Sequence, residues 1–175
     1  MSRRNGHRHV LSLLVDNEPG VLARVVGLFS GRGFNIESLC VAETIEPSTS
    51  RITLVTTGNK SIIEQIKKQL NKLINVVKVH DHTGTQYVER ELVLIRVKAD
   101  LKNRSELLRM VDIFRARVVD VGSSSYMIEV TGDEGKIEAF LNLVRPMGVI
   151  EIARTGSIAM AREKNLNKEA RNGQN

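Results

Sequence analysis

The stretch DNEPG, residues 16–20, carries the residue types best suited to bind a small ligand. It separates an aliphatic strand-like run from a run with helical spacing, so it lies where a helix begins. A helix N-terminus presents unpaired backbone N–H groups and the positive end of the helix dipole, which together attract a carboxylate. Gly20 lets a ligand approach the backbone because no Cβ stands in the way. The stretch therefore predicts either a turn or an anion-binding junction.

Two asparagines leave the same choice open. Asn17 can cap the helix, or it can exchange hydrogen bonds with a ligand. Asn35 follows GRGF and could supply a second amide from the same end of the sheet. A free amino acid would suit this set, with its carboxylate on the N–H groups of Gly20, Val21 and Leu22 and its ammonium on amide or carbonyl oxygens. By spacing alone, a helix cap and a strand start are the favoured interpretation.

The elements around this junction repeat along the chain. The first half has strand-like runs HVLSLLV, NIESLCVAET, SRITLVTT and NVVKVHD, with helical spacing from Val21 and again after Ser61, which is predicted to form a capping box with Glu64. The second half shows the same order in ELVLIRVKA, SELLRMVDIFRA, RVVDVGSSSYMIEVTG, KIEAFLNLV and VIEIARTG. The order predicts an α+β chain of two consecutive ferredoxin-like βαββαβ domains, each an antiparallel sheet with two helices on one face.

Domain boundaries follow from breaks in the apolar pattern. We expect a first domain at 8–82, a second at 83–162 and a polar, disordered tail at 163–175. Both alternating residue sets of the first strands are apolar, as Leu13 and Leu14 show, which is typical of a sheet whose second face is an interface. A homodimer is therefore expected, with edge-to-edge strand pairing as the other way to satisfy open edges.

Composition limits the classes of function. The 175 residues carry a net charge of +6, but aromatic residues make up 3% and Trp is absent, which disfavours an RNA-binding βαββαβ module that stacks bases. The single Cys40 and the lack of a long apolar run indicate a soluble, cytoplasmic protein without disulfides. No Ser-His-Asp order, HExxH, CxxC or P-loop pattern occurs, so catalysis by this chain is not expected.

Four histidines lie in two pairs, His7 with His9 and His80 with His82. The first and fourth strands are neighbours in the predicted sheet, so His9, His80 and His82 are weak candidates for a Zn²⁺ or Ni²⁺ site. The alternative is a set of surface histidines at a strand end. It needs no sulfur or acidic ligand at fixed spacing, and none is evident apart from Asp81.

A long segment, NEPGVLARVVGLFSGRGFNIESL, resembles the opening of an ACT domain, and specifically that of the small regulatory subunits of acetolactate synthase (acetohydroxyacid synthase). The resemblance continues through SRITLVTTG, VERELVLIRVKA and RTGSIAMAR and covers about residues 8–162. It implies an ACT domain and a second ACT-like domain, dimerisation through the first, and feedback inhibition by valine bound between two ACT domains. Carried over by position, Asn17 and Gly20 of one chain, with the backbone at Val21 and Leu22, would face Asn35 of the other.

The resemblance also implies a partner. In this family a large catalytic subunit uses thiamine diphosphate, Mg²⁺ and FAD to join two 2-oxoacids in branched-chain amino acid biosynthesis, and the small subunit raises its activity. No cofactor is then expected in this chain. The second domain has ADLKNRSE in place of the Asn-Pro-Gly junction, so subunit contact suits it better than a second valine site. An ACT-type amino-acid sensor for another metabolic enzyme is the alternative.

Overall fold

A computed structural model describes residues 7–163. These residues form two compact units, one made of the chain up to Val88 together with the part from Ile158 onward, and one made of Glu89–Ser157. Each unit contains an antiparallel sheet and two helices, which confirms the predicted ferredoxin-like α+β fold. The predicted tail at 163–175 lies, apart from Glu163, outside the described residues.

The first unit has the predicted order of elements. They are β1 (His7–Asp16), α1 (Val21–Ser30), β2 (Ile36–Glu43), β3 (Thr49–Gly58), α2 (Lys60–Leu70) and β4 (Val76–Asp81). The sheet order is β2-β3-β1-β4, so β2 and β4 are its edges. Leu11 and Leu13 of β1 register with Leu54 and Ile52 of β3, and all four are at most 1% exposed beneath the two helices. Each buried side chain of this kind contributes about 1.5–3 kcal/mol to folding.

The opposite face of this sheet is less apolar than the sequence pattern indicated. Here Ser12 registers with Thr53, and Leu14 registers with Arg51. Successive strand residues alternate between the two faces of a sheet. The face away from the helices therefore receives polar as well as apolar side chains from β1 and β3. The argument for an interface from apolar character alone is therefore weaker, and the homodimer stays a prediction.

A short strand that the sequence reading did not distinguish covers part of this face. In β9 (Ile158–Ala161), Ala159 is 4% exposed and packs with Val10 and Val55. The hydroxyl of Ser12 donates to the carbonyl of Ala159 at 3.4 Å. Residues 158–162, which were expected with the second domain, thus pack within the first unit. The side chains of Ile158 and Met160 are exposed and alternate with the buried Ala159. This alternation is too short to predict a strand from the sequence alone.

The second unit repeats the same topology. Its elements are β5 (Tyr87–Lys98, in this unit from Glu89), α3 (Arg104–Ile113), β6 (Arg117–Val121), β7 (Ser125–Gly132), α4 (Glu134–Val144), a 3₁₀ turn (Arg145–Met147) and β8 (Val149–Arg154), with sheet order β6-β7-β5-β8.

Arg154 donates to both oxygens of buried Glu91 at 2.7 and 2.8 Å and to Glu138 at 3.2 Å. The hydrogen bonds to Glu91 raise the pKa of the Arg154 guanidinium above its ordinary value.

One helix start differs from the expectation. The predicted capping box of Ser61 and Glu64 does not form, because α2 begins earlier, directly after β3 ends at Gly58. The side chain of Asn59 is the cap and accepts a hydrogen bond from the N–H of Ile62 at 3.0 Å. In the described part of the chain, the helices lack the length and hydropathy needed to span a bilayer.

Candidate functional site

The junction between β1 and α1 is held open by its backbone conformation. The N-cap of α1 is Gly20, in the left-handed conformation at φ 84°, and no side chain caps the helix. Asn17 is therefore not the helix cap that spacing alone favoured. Pro19 lies one residue before the cap, where its missing N–H costs nothing. The chain therefore enters the helix at Gly20 without a capping side chain that could accept from the first-turn N–H groups.

The N–H groups at this helix start are partly unused. Val21 donates to the carbonyl of Glu18 at 3.3 Å, and its side chain is buried at 3% exposure. The N–H groups of Gly20, Leu22 and Ala23 make no hydrogen bond with any residue in 7–163. A Cβ added at Gly20 would meet nothing within 4 Å. The first turn therefore has donors, a dipole and open space for a carboxylate, and Ala23 is a donor that sequence reasoning missed.

Asn17 anchors the hairpin loop between β2 and β3 to this junction. Its Nδ2 donates to the carbonyl of Pro47 at 2.9 Å, and its Oδ1 accepts from the hydroxyl of Ser50 at 3.0 Å. Its backbone N–H donates to Ser48 at 2.8 Å. A side-chain amide has two donors and two acceptor lone pairs, so one of each remains for a ligand. Asn17 is thus both a structural anchor and a usable amide.

A buried asparagine that the sequence reading passed over organises the other side of the junction. Asn75 is 8% exposed, and its backbone carbonyl accepts from the N–H of Asp16 at 2.9 Å. Its side chain accepts from Arg24 and donates to Asp16 and Glu18, both at 3.2 Å. A polar residue inside the apolar run LINVV was the available signal. This network fixes the carboxylates of Asp16 and Glu18 beside the helix start.

Asn35 lies at the far end of the same sheet. Its carbonyl accepts from Thr56 Oγ1 at 2.7 Å, whereas Asn17 is bonded to Ser50. The two β3 residues are six positions apart (56 − 50), which corresponds to about 20 Å along a strand. The expectation that Asn35 adds an amide from the same end of the sheet is therefore wrong within one chain. Helix α1 returns the chain to the opposite end of the strands before β2 begins.

The histidine pairs do not come together. His9 shares the helix-covered face with Leu11, and its Nδ1 lies 2.7 Å from Thr83 Oγ1. His80 registers with Ser12 on the opposite face, and its ring centroid is 4.4 Å from that of His82. Residues an odd number of positions apart on one strand point to opposite faces, which separates His9 from the others. Among residues 7–163 no three His, Cys, Asp or Glu side chains are arranged to hold a metal ion.

Comparisons with known proteins place this architecture in a family. Residues 11–78 match the family described as AHAS small subunit-like ACT domain, and residues 90–163 match the family described as small subunit of acetolactate synthase. A protein of Archaeoglobus fulgidus named as a probable acetolactate synthase small subunit is 54% identical over 155 residues, which cover 89% of this chain and 97% of that protein. The acetolactate synthase small subunit of Aquifex aeolicus is 48% identical over 163 residues, covering 93% and 85%.

A solved structure agrees with the sequence relatives. The crystal structure of the acetolactate synthase small subunit from Thermotoga maritima superposes with a TM-score of 0.81 at 44% identity, and the match covers 89% of this chain and 98% of that one. The two ferredoxin-like units and the matched segments therefore lead to one conclusion. The chain belongs to the acetolactate synthase small-subunit family, with an N-terminal ACT domain and a regulatory role.

Proposed function

We propose that the chain activates an acetolactate synthase catalytic subunit and makes it subject to feedback inhibition by valine. The observation that carries the proposal is the uncapped helix start at Gly20, where three backbone N–H groups have no acceptor among residues 7–163. A valine carboxylate would accept from these donors, and its ammonium would meet the oxygen side of Asn17 or nearby carbonyls. The isopropyl group would contact aliphatic side chains such as Leu22, which is 41% exposed.

The second wall of this effector site would come from another copy of the chain. Strand β2 is a sheet edge, and its last residue Glu43 registers with Ser50, the residue bonded to Asn17. If two β2 edges pair antiparallel about a two-fold axis, the start of one strand lies beside the end of the other. Asn35 of the second copy would then approach the Asn17 junction. This geometry supports a homodimer through the ACT domain and accounts for the separation of the two asparagines within one chain.

The catalytic subunit would hold the reaction's cofactors. Thiamine diphosphate, Mg²⁺ and FAD belong to that partner in this proposal, and the present chain would contribute binding surfaces in the cytoplasm. Regulation then requires that valine bind one arrangement of the ACT pair more tightly than another. A coupling free energy of about 1–3 kcal/mol would change activity or affinity about 5- to 150-fold.

Reconstitution tests the proposal directly. The full chain is added to the purified catalytic subunit of the same organism, and acetolactate formation is measured with and without valine. We expect the chain to raise the rate and valine to lower it again. Activation without a valine response would overturn the effector assignment. Valine binding without activation would instead support an ACT sensor for a different enzyme.

A further inference from the structure

A cavity on the helix-free face of the first sheet is separate from the junction. Its volume is about 300 Å³, and Leu14, Arg51, Lys78, His80 and Met160 are among its lining residues. From its charge and shape we propose that it binds a small aliphatic carboxylate that lacks an ammonium group, such as a 2-oxo acid. This volume is at the lower end of the range for small-molecule sites. The proposal does not depend on valine binding at the junction.

Charge defines the polar side of the cavity. Arg51 and Lys78 flank Leu14 on its two neighbouring strands, since both register with that residue. No lining residue in the described part of the chain carries a carboxylate. The side chain of Arg51 makes no hydrogen bond or ion pair with another residue in 7–163, so its guanidinium can donate two hydrogen bonds to a ligand carboxylate. An anion would therefore be favoured at this end of the cavity.

The rest of the lining suits a short carbon chain. Leu14 and Met160 supply aliphatic surface, Met160 from β9. Deeper in the cavity, Ser12 and His82 are 5% and 1% exposed, and Ser12 Oγ lies 2.9 Å from His82 Nε2. Ser12 also donates to the carbonyl of Ala159, so these groups satisfy one another and form a fixed polar floor beneath the apolar walls. The site is thus amphipathic, with cations at the mouth and apolar walls.

The same lining discriminates against amino acids. An α-ammonium would lie next to the Arg51 guanidinium, with no carboxylate among the lining residues of 7–163 to receive it, whereas the junction offers oxygens and backbone donors. Valine and its deaminated counterpart 2-oxoisovalerate share one carbon skeleton and differ in this group. The first unit would therefore distinguish amine from ketone by binding them on different faces.

Methyl NMR on the full chain tests the proposal, because the protein has five methionines and Met160 lines the cavity. The probes are 2-oxoisovalerate, valine and inorganic phosphate, each titrated into protein carrying ¹³C-methyl methionine. We expect 2-oxoisovalerate to shift the Met160 signal in a saturable way. Arg51→Gln should weaken that binding about tenfold, since a charge-assisted hydrogen bond is lost.

The matched control is Lys68→Gln, which removes one positive charge from the exposed surface of α2. It should leave 2-oxoisovalerate binding unchanged, and the other methionine signals report whether each variant is folded. Equal binding of phosphate would overturn the aliphatic part of the proposal. If valine shifts the Met160 signal with the same affinity as 2-oxoisovalerate, the discrimination against an ammonium group is overturned. No saturable shift with 2-oxoisovalerate would overturn the site itself.

Discussion

The strand-to-helix junctions of the two units have the same backbone framework. In the first, Asp16 donates to the carbonyl of Asn75 at 2.9 Å, and the following residue, Asn17, donates to Ser48 at 2.8 Å. In the second, Lys98 donates to Gly148 and Ala99 donates to Ser124, both at 2.9 Å. By these bonds Asn17 corresponds to Ala99, and Asn75 corresponds to Gly148. The junction asparagine and the buried one are therefore both absent from the second unit.

In the second junction, a carboxylate of the chain itself fills the turn before the helix. Oδ1 of Asp100 accepts from the N–H groups of Lys102 and Asn103, both at 3.0 Å, and Arg104 donates to the carbonyls of Ala99 and Ser123. Both helices begin without a capping side chain, and the difference lies in the turn before the helix, where the first junction has Gly20 and no carboxylate acceptor. One fold thus supports an open and a closed turn before a helix. The difference teaches that ligand capacity here is set by a few side chains, since the closed site uses its own carboxylate where the open site has room for a ligand's.

The largest expected effect comes from giving the open junction its own carboxylate. Gly20→Asp should lower valine affinity at least about tenfold, because two carboxylates would compete for the same donors. Isothermal titration calorimetry on the full chain measures this. The matched control is Gly20→Asn, which has nearly the same size and the same left-handed backbone demand without the charge. Equal valine affinity in both variants would contradict the assignment of the carboxylate to this helix start.

A smaller effect is expected from removing the buried asparagine that the second unit lacks. Asn75→Ala should lower the free energy of unfolding by about 2 kcal/mol, because Asp16, Glu18 and Arg24 lose a shared partner. Urea denaturation followed by circular dichroism checks it, with Asn71→Ala as the exposed control at the end of α2. A change below about 0.5 kcal/mol in Asn75→Ala would mean that the network does not hold the junction.

The smallest effect is expected from opening the closed junction. Asp100→Ala should lower the free energy of unfolding by about 1 kcal/mol as two N–H groups lose their acceptor. The number of valine molecules bound per chain should not change, because the amide corresponding to Asn17 is still missing. Denaturation and calorimetry are compared with Asp112→Ala, an exposed residue of α3. A new valine site in Asp100→Ala would show that an open helix start is sufficient for binding.

Much of the fold could be predicted because its signals are local. Alternation in β1 and helical spacing in α1 and α2 reflect which side chains face the core, and these periods are written in consecutive residues. The position of Asn35 could not be predicted in this way. Its distance from Asn17 depends on the register of β2 with β3, which is a contact between residues far apart in the chain. The same limitation applies to β9 and to the histidine pairs, whose placement also depends on contacts between residues far apart in the chain.

By itself, the sequence determined the two βαββαβ units, the family, and the turn at DNEPG from which the first helix begins, since each depends on short patterns of residue type. Only the tertiary structure decided what those residues do. It assigned Asn17 to the hairpin loop rather than to a cap, linked Asn75 to Asp16 and Glu18, and left the donors at Gly20 unpaired. The physical reason is that a hydrogen-bonding group is satisfied by whichever partner the fold brings within about 3 Å, and sequence separation does not limit that choice.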